Sequence, residues 1–290
     1  RTDRAKAACT WTLASNVTVP ATLTMWIPRG APISVNSGII LTIERCPMAG
    51  NYQIVTGSGQ VQFRNCIQNV MWRGAIADST GADGTDSGPA LQAAFNDIVN
   101  GQTGAFFPAA RGTCYRSNQA LTITLAGSGS GVSLIGEGLN SVICGNGGTS
   151  VDVLTLDGRT GTAPIAISNL TVYGTANSRN GVIMIDLDKP TFTHFFITGA
   201  RVTSVLIQGS IIGSWIGGGA TNGVGSPGGA AAVPVHGLVM EPSAAVSGSD
   251  GWFFGGTTWN GATEAAVPLT DVTNTTPIGI TTGADVFATN

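Results

Sequence analysis

Between Thr10 and Phe63 the apolar residues fall on alternate positions. In "VTVPATLTMWIPRGAPISVNSGIILTI", Val17, Val19, Leu23, Met25, Ile27, Ile33, Val35, Ile39, Leu41 and Ile43 keep an every-other-residue beat, which Pro20, Pro28, Gly30, Pro32 and Gly38 interrupt. A period of two broken this often predicts strands of about four to six residues. Residues 88–100, "GPALQAAFNDIVN", switch period. Leu91, Ala94, Phe95 and Ile98 recur at i, i+3, i+4 and i+7, the spacing of one helix face. Ser87 suits the N-cap, Pro89 the first turn and Gly101 the stop. No other stretch reads as a helix.

Past the helix, "GAFFPAARGTCYRSNQALTITL" returns to strands, and from Val132 onward the pattern repeats. "VLTLD" (153–157), "VIMID" (182–186), "SVLIQ" (204–208), "GLVME" (237–241) and "IGITT" (278–282) form one equivalent series. "ISNLTVYG", "FTHFFITG", "SIIGSWIGG" and "SDGWFFGG" interleave as a second. Two alternating strand series with turns of unequal length predict a solenoid, in which equivalent strands stack in parallel about 4.8 Å apart. A β-sandwich is the competitor, but it would favour regularly spaced hairpin turns that this chain lacks. A solenoid's end coil exposes an unpaired edge and an open core. The amphipathic helix is expected to cover that end, with Asp83, Gly84 and Asp86 forming the turn, Ser87 the cap, and Leu91, Phe95 and Ile98 the plug.

Composition narrows the functional classes. Only 10% of the 290 residues are charged and the net charge is −3, against about 25% charged in an average domain. No run of Lys or Arg supplies a nucleic-acid footprint. No segment approaches the roughly 18 consecutive apolar residues of a membrane span. The opening "RTDRAKAACTW" reads as a processed product or a piece of a longer polypeptide. Five cysteines, with no C-x-x-C pair, argue against zinc. They read first as small buried hydrophobes, with a Cys46–Cys66 disulfide as the alternative. His194 and His236 are too isolated for a metal site, and no cofactor motif is present.

"GADGTDSGPALQAAFNDIVNGQTGAFFPAARGTCYRSNQALTI", the later "LIGEG" (134–138) and the preceding "AGNYQIVTGSGQVQF" and "VMWRGAIAD" together carry a family likeness. They resemble the opening segment of the pectate-lyase-like superfamily of right-handed parallel β-helices, in the branch found in bacteriophage tailspikes and secreted polysaccharide-degrading proteins. The resemblance covers about residues 10–145 and becomes generic from 146 to 290. It departs in one place: the family often has two adjacent acids after the Thr, where this chain has Asp86, Ser87 and Gly88. The resemblance implies a single-stranded right-handed parallel β-helix from 81 to 290 with one capping helix, preceded by a strand-rich lead-in over 1–80. Members are lyases, hydrolases with paired carboxylates, or non-enzymatic spikes, adhesins and structural modules. The Asn-Thr-Asp, Asp-Asp, Gly-His-Gly and Arg-x-Lys signatures of the hydrolases are absent. His236–Gly237 is a fragment that chance supplies.

The stacking register locates the remaining candidates. With Leu154, Val182, Val205 and Leu238 in one inward column, Asp157, Ile185, Gln208 and Glu241 form an outward one. Gln208 and Glu241 are then about 5 Å apart, and Asp157 roughly 14 Å from Glu241. Paired hydrolytic carboxylates sit about 5–10 Å apart. Asp157, Asp186, Asp188 and Glu241 are therefore the catalytic candidates, weighed against a solvated polar face of turn-forming acids. Trp215, Trp252 and Trp259, with Gln208, are the sugar-binding candidates, weighed against core packing or subunit contact, which is the preferred reading for the tryptophans. The loop "GGGATNGVGSPGGAAAVP" (217–234) and the final "IGITTGADVFATN", which reads as an open coil with no polar cap, point to contacts between copies, most simply in a homotrimer. The favoured expectation is a virion surface component that meets host glycan or other virion proteins. The alternative is a secreted or tail-borne polysaccharide depolymerase, and a surface adhesin is third.

Overall fold

The alternating runs before Phe63 form six short strands. These are β1 (Trp11–Leu13), β2 (Val17–Val19), β3 (Ile33–Val35), β4 (Ile40–Ile43), β5 (Val55–Thr56) and β6 (Gln60–Phe63). They pair in parallel as β1-β3-β5 and β2-β4-β6, and Trp26 bridges Met48 on a third side. The lead-in is thus itself a short coil stack. Its inward residues, among them Ile33, Val35, Leu41, Ile43, Val55, Val61 and Phe63, make a separate core closed by Trp72. The computed structural model describes residues 9–81, 83–110, 113–125, 131–148, 150–161, 163–175, 178–210, 212–221, 236–241, 243, 252–259, 276–277 and 281–282.

The second stack opens with β7 (Ile67–Asn69), a 3₁₀ turn (Val70–Arg73) and the helix α1 (Gly88–Gly101). Three coils of three strands follow. They are β8 (Gly104–Phe107), β9 (Tyr115–Ser117) and β10 (Leu121–Thr124); β11 (Val132–Gly136), β12 (Val142–Gly145) and β13 (Leu154–Asp157); then β14 (Ile165–Ser168), β15 (Thr171–Gly174) and β16 (Asn180–Ile185). In the later coils one long strand replaces two. β17 (Thr191–Gly199) pairs with both β14 and β15. The series continues through β18 (Thr203–Gln208), β19 (Ser214–Thr221), β20 (His236–Glu241) and β21 (Phe253–Trp259) to β22 (Thr276–Pro277) and β23 (Thr281–Thr282). The strand pairs throughout are parallel, so the chain is a parallel β-helix, as the repeat predicts.

Register explains the core. Leu121, Leu154, Val182, Val205 and Leu238 pair in succession, and all are fully buried. A second column runs Ala105, Leu134, Ile167, Phe192, Trp215 and Phe254. It changes from aliphatic to aromatic toward the late coils. Of the "IGITT" segment only Thr281–Thr282 is described, and it pairs with Thr258–Trp259 of β21 rather than with β20, so it belongs to the other series.

Helix α1 buries Leu91, Ala94, Phe95 and Ile98 against Ala105, Phe107, Tyr115, Leu121 and Ile123 of the first full coil, with the Phe95 and Phe107 rings 6.2 Å apart. Its Asp97 faces the other way. The Asp97 carboxylate accepts from the Val61 N–H of β6 at 3.0 Å and from Arg73 Nε and Nη2, both at 2.6 Å. Arg73 Nη2 also donates to the Gly59 carbonyl at 3.2 Å. The helix therefore lies at the junction of two stacks rather than over a free end. Burial raises the Asp97 carboxyl above its ordinary value, against the pull of Arg73.

The turn before the helix differs in detail from the expected cap. Ser87 already has helical backbone angles (φ −90°, ψ −2°), and its side chain makes no capping bond. Its hydroxyl instead accepts from the Ile76 N–H and donates to the Ile76 carbonyl. Asp86 takes over, accepting from the N–H groups of Gly88 at 3.0 Å and Asn118 at 3.1 Å. Asp83 closes the turn by accepting from the Thr80 N–H and hydroxyl, and Gly84 supplies the left-handed residue at φ +84°. At the other end the left-handed position is Gln102 at φ 52°, one residue past Gly101.

Four cysteines are paired, as Cys46–Cys66 and Cys114–Cys144, and Cys9 is exposed and free. The reading of these side chains as unpaired core residues is corrected. Cys114 immediately precedes β9 and Cys144 lies in β12, and these two strands are hydrogen-bonded neighbours. Stacking brings residues about one coil apart in sequence within bonding reach.

Candidate functional site

The outward column falls where the register places it. Asp157 pairs with Ile185, Ile185 with Gln208, and Gln208 with Glu241. These positions end β13, β16, β18 and β20, where each coil turns, so their side chains gather at one corner of the helix. Gln208 Nε2 donates to Glu241 Oε1 at 2.5 Å across adjacent coils.

Asp186 follows Ile185 in the left-handed conformation, φ 50°, which Asp tolerates better than most residues. Its Oδ1 accepts from the Ser243 hydroxyl, which belongs to the coil two steps away. Gly209 on the intervening coil leaves the space. A Cβ there would lie 2.3 Å from Asp186 Oδ1 and 2.5 Å from Ser243 Oγ. Asp157 is tied by Arg159, whose Nε and Nη2 reach its two oxygens at 2.9 and 2.7 Å. That guanidinium holds the Asp157 carboxyl below the ordinary carboxylate range, and it also feels the field of Asp186. The corner is therefore a strip of three carboxylates, one guanidinium, one amide and one hydroxyl, spread over four coils.

Asp188 stands apart. Its carboxylate meets Lys189 Nζ at 3.9 Å. The Arg159 ion pair moves Asp157 away from the proton-holding state that a general acid needs. Arg159 and Ser243 were missed in the sequence. "LDGRT" offered a signal, because an Arg two residues after a strand-ending Asp can fold back onto it. Ser243 offered none, since its role depends on the missing side chain of Gly209.

The sugar-binding assignment of Trp215 and Trp252 is corrected, and the preferred reading, core packing, holds for both. Trp215 and Trp252 are fully buried, because the register puts Trp215 in the inward column between Phe192 and Phe254. Trp252 stacks on Phe254 at 5.6 Å and on Phe192 at 6.2 Å. Its indole N–H donates to the Ser210 carbonyl, and that of Trp215 to the Phe195 carbonyl. Neither ring is available to a sugar. Trp259 ends β21, and its side chain lies outside the described part of the structure, as do residues 222–235 of the long loop and 283–290 of the final segment.

No helix among the described residues is long and apolar enough to cross a membrane. No protein-family profile and no curated protein matches the chain. Among solved structures, ORF18 of Geobacillus virus E2 matches with a TM-score of 0.55 at 17% identity, over 74% of this chain and 39% of that one. The Agl-KA catalytic domain matches with a TM-score of 0.40 at 12% identity, over 76% of this chain and 47% of that one. The adhesin PfbA of Streptococcus pneumoniae matches with a TM-score of 0.28 at 14% identity, over 71% and 65%. The chain spans well under half the length of the phage protein. At this identity the likeness to ORF18 establishes a shared fold.

Proposed function

We propose that the protein is a β-helical component of a phage particle's surface that holds a bacterial surface polysaccharide along the corner strip without cleaving it. The observation that carries this reading is the hydrogen-bonded state of the strip. Glu241 is engaged by Gln208, Asp186 by Ser243 and Asp157 by Arg159. Such a row of acceptors and donors, spaced one coil apart, suits the repeating hydroxyls of an extended glycan. The fold shared with a phage protein supports the setting. A trimeric assembly belongs to the same proposal.

The second reading is a depolymerase using Asp186 and Glu241. It is favoured by their meeting at one corner about two coil steps, roughly 10 Å, apart or less, the range of a hydrolytic pair. Incubation with a panel of capsular and cell-wall polysaccharides separates the two. The binding reading expects retention of one polysaccharide with no new reducing ends or unsaturated uronate, and weaker retention by Glu241→Gln. Release of fragments that Glu241→Gln abolishes establishes the depolymerase instead.

A further inference from the structure

A second concave surface lies far from the corner strip, where the first stack meets the junction. Turn 28–32, segment 51–53 and the chain around the 3₁₀ turn enclose a groove of about 520 Å³, lined among others by Arg29, Asn51, Tyr52, Gln53, Met71 and Ile76. That volume is within the range of small-ligand sites.

Its chemistry is specific. Among the described residues Arg29 is exposed and has no ion-pair or hydrogen-bond partner, and no carboxylate among them lines the groove. A guanidinium so placed is an open fork for a planar carboxylate. The neutral groups are held in place. Tyr52 donates its hydroxyl to the Ile27 carbonyl at 2.7 Å, which leaves the ring as a fixed wall. Asn51 accepts from Asn69 Nδ2 at 2.7 Å through its Oδ1, so its own amide N–H groups remain to donate. Gln53 spends its Nε2 on the carbonyls of Val55 and Arg73, so its Oε1 remains to accept. Met71 and the exposed Ile76 add apolar surface. One cation, one amide donor, one amide acceptor and an aromatic wall match a sugar ring that carries a carboxylate. A single cation does not match the repeated phosphates of a nucleic acid.

We infer that this groove is a second saccharide site, selective for a uronic-acid residue and independent of the corner strip. The test uses the full chain and calorimetric titration with four probes: oligogalacturonate, a hyaluronan hexasaccharide, a neutral dextran oligosaccharide and a poly(glycerol phosphate) oligomer. At least one uronate probe should bind at 50 mM salt and weaken at 300 mM, while dextran does not bind. Arg29→Ala should weaken the uronate about tenfold, as expected for a lost charge-assisted hydrogen bond, and Arg64→Ala, which removes an exposed guanidinium outside the groove, should leave it unchanged. Arg29 is exposed and unpaired, so its replacement leaves the fold intact, which an unchanged thermal transition verifies. The inference is overturned if neither uronate binds, if dextran binds equally, or if Arg29→Ala binds as well as the parent. A poly(glycerol phosphate) oligomer binding more tightly than both uronates also overturns it, assigning the cation to phosphodiester recognition.

Discussion

Asp186 and Ser243 come from coils two steps apart, and they meet because the residue between them has no side chain. Gly209 also has φ +61°, a conformation that costs a non-glycine residue about 1–2 kcal/mol. Gly209→Ala should therefore lower stability by about 1–2 kcal/mol, a shift of a few degrees in the thermal midpoint, and separate Asp186 from Ser243. Ser243→Ala, which removes the hydrogen bond without strain, should cost less. Equal midpoints for Gly209→Ala and the parent would show that the cradle is not closed as described. The same positions show what a sequence can disclose about a site. Asp157, Gln208 and Glu241 were legible as one column, because a period of two fixes which side chains share a face once a single pairing is chosen. Their partners were not. Arg159 reaches back from a turn, and Ser243 reaches over a gap, and neither event has a period. Trp215 shows the reverse case. The register that put Asp157 in the outward column, where Arg159 covers it, also put Trp215 inside, and burial rather than aromatic chemistry decides its role.

At the level of elements, the helix and its turn were readable from local signals, while their bonding was not. The switch from period two to 3.6 marks α1, and its inward residues are the expected ones. The cap moved from Ser87 to Asp86, because a residue whose backbone is already helical cannot turn its side chain onto the first N–H groups. The acids of this turn give it a pH dependence. Hydrogen bonds from the Thr85 N–H and hydroxyl hold the Asp78 carboxyl below its ordinary value, and those from the Thr80 hydroxyl and N–H do the same for Asp83. For a depressed carboxylate the stabilisation is complete above its unfolded value of about 3.9 and is lost as pH falls through the lower folded value. Both groups are exposed to solvent, so the effect is screened and modest. Urea midpoints should accordingly hold steady from pH 7 to 5 and decline below about pH 4. Asp78→Asn should already be less stable at pH 7 and decline less steeply. A variant with the parent's full acid slope would remove Asp78 from this account. Cys114–Cys144 belongs to the same scale, since only the adjacency of β9 and β12 reveals it, and strand pairing is what the sequence pattern states least directly.

Among the described residues the two larger apolar cores lie one around Ile33, Leu41 and Val61 and the other from Val70 to Phe254, beside a small cluster of Cys114, Val142, Cys144 and Tyr173. In a solenoid each coil is stabilised mainly by its neighbours, so the weakest interface determines whether the chain unfolds as one unit or two. Here α1 packs between the two stacks, and its own polar link to the first runs through one buried ion pair. Arg73 and Asp97 are almost completely removed from solvent, and through them the helix bonds to both Val61 and Gly59 of the first stack. Removing one partner leaves an uncompensated buried charge, which costs about 3–5 kcal/mol. Arg73→Ala should therefore act at the junction rather than evenly along the chain. Calorimetry of the parent is expected to give one thermal transition. Arg73→Ala should give two, the earlier one assigned to the first stack by the part of the tryptophan fluorescence change that Trp72→Phe removes, while the second stack persists. The double variant Arg73→Met with Asp97→Leu, which replaces the ion pair by apolar groups of similar size, should recover most of the stability. If Arg73→Ala instead lowers a single transition as a whole, the apolar contacts of α1 suffice to couple the stacks, and the ion pair adds stability without governing cooperativity.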